Sequence, residues 1–414
     1  MTQIPPSRIY QKLALEREAE FDWVEAEKYR RSAAEDLVAK GEYLDAGEIQ
    51  ERAAYSLRRA AYQAETVEAF RGLLESASLG YGRAAEIYEE VEGQRGEARV
   101  LSSRGMEHFH RSWLIVDPPE RKVQMALCVE MFREALRACE DAEDGSRYGR
   151  VCNNYLGALF SYSELTFTQT EGLEILNDAL EVGSRALKAL NRIGDEGELA
   201  LCYYQLSMFL SDRPMAVIES VERQQELLER GMGYAEKAVE LSMEDGDPYL
   251  IGVSHGALGY FTFEVKRDIE TAKSLAGRQL EYGKKIGDRL VLARAYESLA
   301  YYTDTSAFSE EDREKIKAAA TEALNDANEA MSNYRVVSHP VVTAPLPRNH
   351  APYLLGTVET DRELKYRYEL QGLETSLADL KYAQESGSLL GEMYLYHAVG
   401  SSYLSLAKLE RDEK

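Results

Sequence analysis

Proline, cysteine and tryptophan are all scarce in this chain: 10, 4 and 2 residues respectively out of 414. Proline stands at about half its average usage. A proline inside a helix loses a hydrogen bond and clashes with the preceding turn, so the span from Ser7 to Asp117, which has none, is open to long helices. Cys128, Cys139, Cys152 and Cys202 form no CxxC pair and no dense framework. That excludes a disulfide scaffold and makes the thiols small core residues of a reducing, cytoplasmic protein. No long uncharged apolar run is present, which excludes a transmembrane helix. Met1 to Tyr10 lacks a basic segment followed by an apolar core, so no secretory signal is expected. Positive charge is also short, with 49 basic against 72 acidic residues and a net charge of −23. Such a surface repels phosphate backbones, which argues against nucleic acid as a partner. What the chain does have is 44% hydrophobic residues, enough to fold.

Those residues recur with a period. Aligning Ile193-Gly194-Asp195 with Ile286-Gly287-Asp288 brings Leu199 onto Leu292, Ala200 onto Ala293, Tyr203 onto Tyr296 and Leu206 onto Leu299. The frame returns at Leu258-Gly259 and more faintly at Gly105, Leu156-Gly157 and Val399-Gly400. The markers fall at 104, 156, 206, 258, 299 and 399, so the intervals are 52, 50, 52, 41 and 100, the last being two units. A second pattern of small residues follows most markers, as in Cys128, Phe132 and Ala135, or Ala179, Gly183 and Ala186. Small residues at this spacing make one stripe on a helix and let a neighbour approach closely. The unit is a pair of antiparallel helices.

On these residues the chain resembles the tetratricopeptide-repeat family, which pairs a Leu-Gly-x-x-Tyr helix with a Gly-x-Tyr-x-x-Ala-x-x-x-Phe-x-x-Ala helix. Local matches are Gly41-Glu42-Tyr43 leading to Ala46 and Ala53, Tyr81 leading to Ala84 and Tyr88, Leu258-Gly259 leading to Ala272, and Val399-Gly400 with Tyr403. Ala33 to Ala61 also resembles the helical repeats of soluble membrane-fusion adaptor (SNAP) proteins. The resemblance implies an all-α, right-handed superhelix of about eight antiparallel helix pairs. Its divisions are a helical lead-in over 1–24, repeats over 25–330, a proline-containing, acid-free loop over 331–358, and further helical repeats over 359–414. Relative to the family, Trp113 to Lys122, Glu164 to Thr170, Ser211 to Ala216 and Thr303 to Asp312 carry extra residues. These are either insertions along one edge or longer helices with longer turns.

The family lines its inner surface with the first helix of each pair. Carried across, the inward positions include Arg99, Phe109, Asn154, Tyr204, Tyr260, Phe263, Arg294, Tyr301, Tyr394 and His397. Apolar bodies with polar tips suit a peptide or protein partner; equally, tyrosine is a routine packing residue of such helices. The positions where some repeat proteins grip a C-terminal carboxylate with lysine are here Ser102, Asn154, Tyr204, Gly256, Glu297 and His397, so that lysine clamp is not expected.

Ala330 to Val358 has no Asp or Glu where the chain average would place about five. It holds Arg335, His339, Arg348, His350 and four of the prolines, and reads as non-helical. As a loop it either packs on its own protein, docks an external partner, or is a linker. Arg335, His339 and Arg348 therefore join the candidate partner-binding residues.

Catalytic and metal constellations are missing. There is no Gly-rich phosphate loop, GxSxG, HExxH or DDxxD, and His108 and His110 fall on nearly opposite helix faces. No cofactor, metal or catalytic residue is expected. Arg30-Arg31 and Arg58-Arg59 read as surface cations with salt-bridge partners at helical spacing. The chain reads as a non-catalytic interaction scaffold or adaptor, or alternatively as a regulator whose superhelix closes on a peptide. The final marker helix stands close to Lys414 with little room for a second helix, so the last unit is expected to be either incomplete or completed by another chain, and homo-oligomers through the terminal repeats are open.

Overall fold

The acid excess has a structural use at the helix starts. Asp22, Thr66, Asp117, Asp144, Thr168, Asp195, Ser220, Asp268, Asp288, Asp312 and Asp361 each stand before a helix and accept a hydrogen bond from a first-turn backbone N–H. That satisfies donors with no partner inside the helix. The Ile-Gly-Asp motif is the whole joint between helices. Gly194 (φ 74°) and Gly287 (φ 69°) end one helix in the left-handed conformation, and the next residue caps the following one.

The computed structural model describes residues 5–142, 144–166, 168–211, 217–340 and 344–411. Its helices are α1 (Pro6–Ala19), α2 (Trp23–Val38), α3 (Tyr43–Tyr62), α4 (Val67–Tyr88), α5 (Gln94–Ser112), α6 (Pro118–Asp141), α7 (Gly145–Ser163), α8 (Gln169–Ile193), α9 (Glu196–Phe209), α10 (Val221–Asp245), α11 (Pro248–Lys266), α12 (Ile269–Ile286), α13 (Arg289–Phe308), α14 (Arg313–Val336), α15 (Pro345–Val358), α16 (Arg362–Ser386) and α17 (Leu389–Arg411). No strand occurs among the described residues. Among the described residues, taken in order, α1 to α16 make eight pairs, with α17 left over.

The chain divides into two compact units, Met1–Leu250 and Ile251–Lys414. The division runs through α11. In the first unit each helix packs on the next from α1 to α10, and the first helices α5, α7 and α9 also touch one another. In the second, α12 to α17 pack in the same serial way, with α13, α15 and α17 adjacent. The small-residue stripes do the packing. A Cβ on Gly105 of α5 would stand 2.9 Å from the Phe132 ring of α6, closer than real contacts allow, so only glycine lets the pair close.

The extra residues lengthen helices more than turns. α6, α8 and α14 run to 24, 25 and 24 residues, and Pro118-Pro119 occupy the start of α6, where no hydrogen bond is lost. Residues 212–216, which include Pro214 and most of one expected insertion, lie outside the described residues.

The loop expected over 331–358 is largely helix. α14 continues to Val336 and α15 occupies Pro345–Val358, between α14 and α16. Pro345 and Pro347 fall in the first turn of α15, the tolerated place, and only Pro352 interrupts its interior. α15 supplies the first helix of the unit whose marker was missing between 299 and 399. Residues 341–343 are outside the described residues.

One carboxyl in the second unit is out of balance. Burial, with Glu322 and Glu329 adding like charge, pushes Asp326 on α14 up to about 6. A folded-state pKa above the unfolded value of about 3.9 stabilises the fold at low pH, and that contribution disappears as pH rises through about 6. Asp326→Asn should therefore melt higher than the parent at pH 7, by about 1 kcal/mol. The advantage should vanish at pH 4; thermal melts at the two pH values check this.

Candidate functional site

In the first unit α3 presents a polar stripe of Glu48, Glu51, Arg52, Tyr55, Arg58 and Arg59 opposite its alanine stripe. The side chains of this stripe reach well beyond the neighbouring helices. Arg147 of α7 donates from Nη1 to Glu51 Oε2 at 2.6 Å, and its Nη2 bonds Oε1, a bidentate pair with side chains 4% and 13% exposed. Arg99 of α5 bridges Glu48 (3.0 Å) and Asp144 (2.7 Å), the cap of α7. Ser103 donates to Glu51 at 2.6 Å. Both arginines flank the ring of Tyr88, each guanidinium carbon 5.9 Å from its centroid. Farther along the stripe, the Arg59 guanidinium lies 4.3 Å from the Tyr249 ring in the first turn of α11 and 5.6 Å from Trp23. Arg58 stands 6.0 Å from the Phe109 ring.

Charge balance within this groove is close but incomplete. Burial pushes the Glu51 carboxyl up, and Arg147 together with Ser103 more than offsets it, leaving the pKa below the ordinary glutamate value. Asp144 is likewise held low, its burial outweighed by Arg99 and the Arg147 backbone N–H. Glu198 of α9 goes the other way. Burial raises it against the hydrogen bond from Asn153 Nδ2 (2.6 Å) and the charge of Arg150. Among the described residues Arg52 and Arg150 form no ion pair, although each lies in reach of several charges. Burial, then Arg30 and Arg150, lowers the Arg52 pKa. Several buried polar atoms around them have no protein partner, namely Tyr88 Oη, Ser102 Oγ, Arg99 Nε, Arg147 Nε and Asn153 Oδ1. Tyr55 is 38% exposed, yet burial still raises its hydroxyl pKa.

His110 illustrates the opposite case. It is buried and stacked on Tyr81 (5.0 Å), its Nδ1–H donates to Met106 O at 2.7 Å, and burial followed by Arg58 pushes it down to about 3. It is neutral at physiological pH and belongs to the packing. His108 contacts Gln124 through Nδ1.

The structure places the sequence candidates unevenly. Arg99 and Phe109 join the α3 groove, and Asn154 lies half-buried one turn after Arg150 on α7. Tyr204 (8% exposed) and Phe263 (5%) are core residues. Phe263 stacks on Tyr302 at 5.0 Å with Tyr301 against its edge, so in place of an inward display they form a helix-packing cluster. Tyr260 and Arg294 are half-buried, while Tyr394 and His397 are exposed on α17. The groove residues missed from sequence were Glu48, Glu51, Arg52, Arg147 and Arg150. Their signal was the charged stripe of α3 facing away from Ala46, Ala53 and Ala60. Arg58 and Arg59, read as surface cations paired along their own helix, lie instead against aromatic rings of other helices. Arg30 bonds Glu18 across helices through two 2.9 Å contacts, whereas Arg31 does pair along its helix with Glu27.

The cations of the acid-free segment are bound within the second unit. Arg348 bonds both oxygens of Asp379, which is 0% exposed, and Arg335 reaches Oδ1 at 3.1 Å. Burial pushes the Asp379 carboxyl up, and the two guanidiniums pull it back. Tyr382 Oη donates to the backbone of His339 at 2.9 Å, His350 Nδ1 meets Asp304 at 3.1 Å, and Asn349 donates to Ser376 and Ser402, both at 2.9 Å. Of the three readings of this segment, packing on its own protein holds for these residues.

All four cysteines are free and buried. Among the described residues no group of His, Cys, Asp or Glu is arranged to hold a metal ion, and no helix is long and apolar enough to cross a membrane.

Serial helix pairs closed by small residues and joined by Gly-Asp caps define a tetratricopeptide-like helical repeat protein. No family model matches the sequence, and no curated protein matches it. Among solved structures, the chain is similar to a Rap protein complexed with competence and sporulation factor, at 13% identity over 97% of this chain and 99% of that one, with a TM-score of 0.51. It is similar also to the apo form of RapI, at 14% identity over 97% and 98%, with a TM-score of 0.50. Likeness at these identities is likeness of fold.

Proposed function

We propose that the chain is a non-catalytic interaction protein that captures a peptide or protein segment bearing a carboxylate in the α3 groove of its first unit. One observation supports the reading: among the described residues Arg52 and Arg150, from α3 and α7, make no salt bridge, although Glu18 and Glu48 act on the first and Glu51 and Glu198 feel the second. Guanidiniums held in no salt bridge, in a protein of net charge −23, favour an anionic ligand. Tyr55, Phe109 and Asn154 supply contact surface and amide hydrogen bonding for the peptide backbone. The similarity to a Rap protein solved with a bound factor supports ligand capture by this fold. A lysine clamp is absent, and the arginines take its place.

The second reading, a regulator that closes on its ligand, is favoured by the reach of α3. It already touches α5, α7 and the start of α11, so a ligand seated beside it would join elements remote in sequence.

Binding should be sought with arrays of acidic, neutral and C-terminally amidated short peptides. The Arg52→Ala/Arg150→Ala variant should bind any captured acidic peptide at least tenfold more weakly, a charge-assisted hydrogen bond being worth about 1.5–3 kcal/mol. Equal affinity in the double variant would remove the groove from the mechanism. Scattering with and without the peptide separates the readings: compaction makes the protein a sensor, and an unchanged radius makes it a scaffold.

A further inference from the structure

The last helix is dressed for a partner on one side. Leu395, Ala398, Ser402 and Leu406 of α17 are buried against the second unit. The opposite face carries Met393, Tyr396, Gly400, Tyr403 and Ala407, a three-four spacing that keeps one stripe along the helix. Met393 is 57% exposed, Tyr396 56%, Tyr403 55%, and Leu404 beside them 65%. At two equivalent marker glycines, Gly105 and Gly259, the second helix of the pair closes in. A Cβ on Gly105 would meet Phe132 of α6, and one on Gly259 would meet Leu275 of α12 at 3.3 Å. Around Gly400 nothing lies within 4 Å. Among the described residues, nothing stands beside Gly400 where a second helix stands beside Gly105 and Gly259.

What fills that place is written in the order of large and small residues. Two antiparallel copies of this stripe, related by a two-fold axis between positions 401 and 402, place Tyr403 opposite Gly400 and Tyr396 opposite Ala407 in the same register. Both tyrosines then meet a small residue, twice over by symmetry. Charge selects the same occupant. Two copies of a chain at −23 repel, and Met393 to Ala407 contains no Asp, Glu, Lys or Arg, so this is a place where they meet without like charges opposed. The area suffices for a weak complex. Four side chains about half exposed, at about 200 Å² each, bury about 400–500 Å² per copy and about 1,000 Å² in the pair, the lower edge of a specific interface.

We propose that α17 is a self-association surface: two copies of this chain pair α17 against α17, antiparallel, with Tyr403 of one copy seated over Gly400 of the other. The pairing is independent of ligand capture in the first unit.

Sedimentation equilibrium of the full chain over roughly 1 to 100 µM, the range expected for an interface this small, should show a monomer–dimer equilibrium. Gly400→Glu should weaken it at least tenfold while the monomer stays helical and melts no lower than the parent, because its side chain enters open space and a mid-helix glycine is removed. Mild oxidation of a Gly400→Cys protein mixed with a Tyr403→Cys protein should give a mixed disulfide dimer faster than either alone, since all natural cysteines are buried. A monomer throughout the range, or a Gly400→Glu protein that dimerises as tightly as the parent, overturns the proposal. Cross-linking of Gly400→Cys to itself at the mixed rate overturns the register.

Discussion

Replacing Arg147 with methionine should cost the first unit about 3–5 kcal/mol, the usual consequence of leaving one charge of a buried pair alone. Glu51 would keep Ser103 and lose both guanidinium bonds, in a place where burial already works against its charge. The pH dependence should change with it. In the parent, Glu51 is held below its unfolded pKa, so its contribution is complete above that value and is lost as pH falls through the lower, folded one. In the variant, burial is opposed only by the Ser103 hydrogen bond and the charge of Arg150, so the folded pKa rises and relative stability should improve as the solution is acidified and Glu51 takes up a proton. The double replacement Glu51→Leu/Arg147→Met removes both charges and should recover most of the loss, since apolar substitutes for a buried pair are often neutral. Urea unfolding of the parent, single and double variants at pH 5 and pH 8 tests all three statements. A single variant within 1 kcal/mol of the parent at pH 8 would mean that water reaches Glu51 and the groove is wetter than its geometry implies.

Arg348→Met should have the second largest effect, about 3 kcal/mol in the second unit, by stranding Asp379 with only the half-exposed Arg335. Arg335→Met, by contrast, should cost about 1 kcal/mol or less, because its side chain is 46% exposed and its 3.1 Å contact is partly screened. The difference between two arginines on one aspartate is the useful quantity. Amide hydrogen exchange should show protection lost over α15 and the middle of α16 in the Arg348 variant and preserved in the Arg335 variant. Equal losses would show that the two cations share the load.

Fold and joints were legible because the information is local. Gly194-Asp195 and Gly287-Asp288 state in two letters where one helix stops and the next begins, and the alanine stripes state which face packs. The segment from 331 to 358 was misread for a physical reason. Its prolines suggested broken helix, yet Pro345 and Pro347 sit where a helix has no hydrogen bond to lose. The absence of acid left packing on the protein itself, docking of a partner and a linker open; the first holds for Arg335 and Arg348, which supply counter-charge to Asp379 on another helix. The groove was only half legible. Arg99 and Asn154 came from the repeat frame, whereas Glu51 and Arg147 are 96 positions apart and nothing local links them. Phe263 and Tyr204 show the limit of a frame transferred from degenerate motifs. A shift of one position on a helix turns a side chain by 100°, enough to exchange groove for core.

The reach of α3 also bears on the order in which the first unit assembles. Contacts between successive helices close short stretches of chain and form early, because closure entropy is small for them. The bonds from Glu51 to Arg147 and from Arg59 to Tyr249 close the longest loops in that unit and reward the chain only after the intervening helices stand. The groove is thus expected to form late in the assembly of the unit. A ligand lodged in it slows unfolding more than it speeds folding, so occupancy lengthens the lifetime of the folded unit as well as its population.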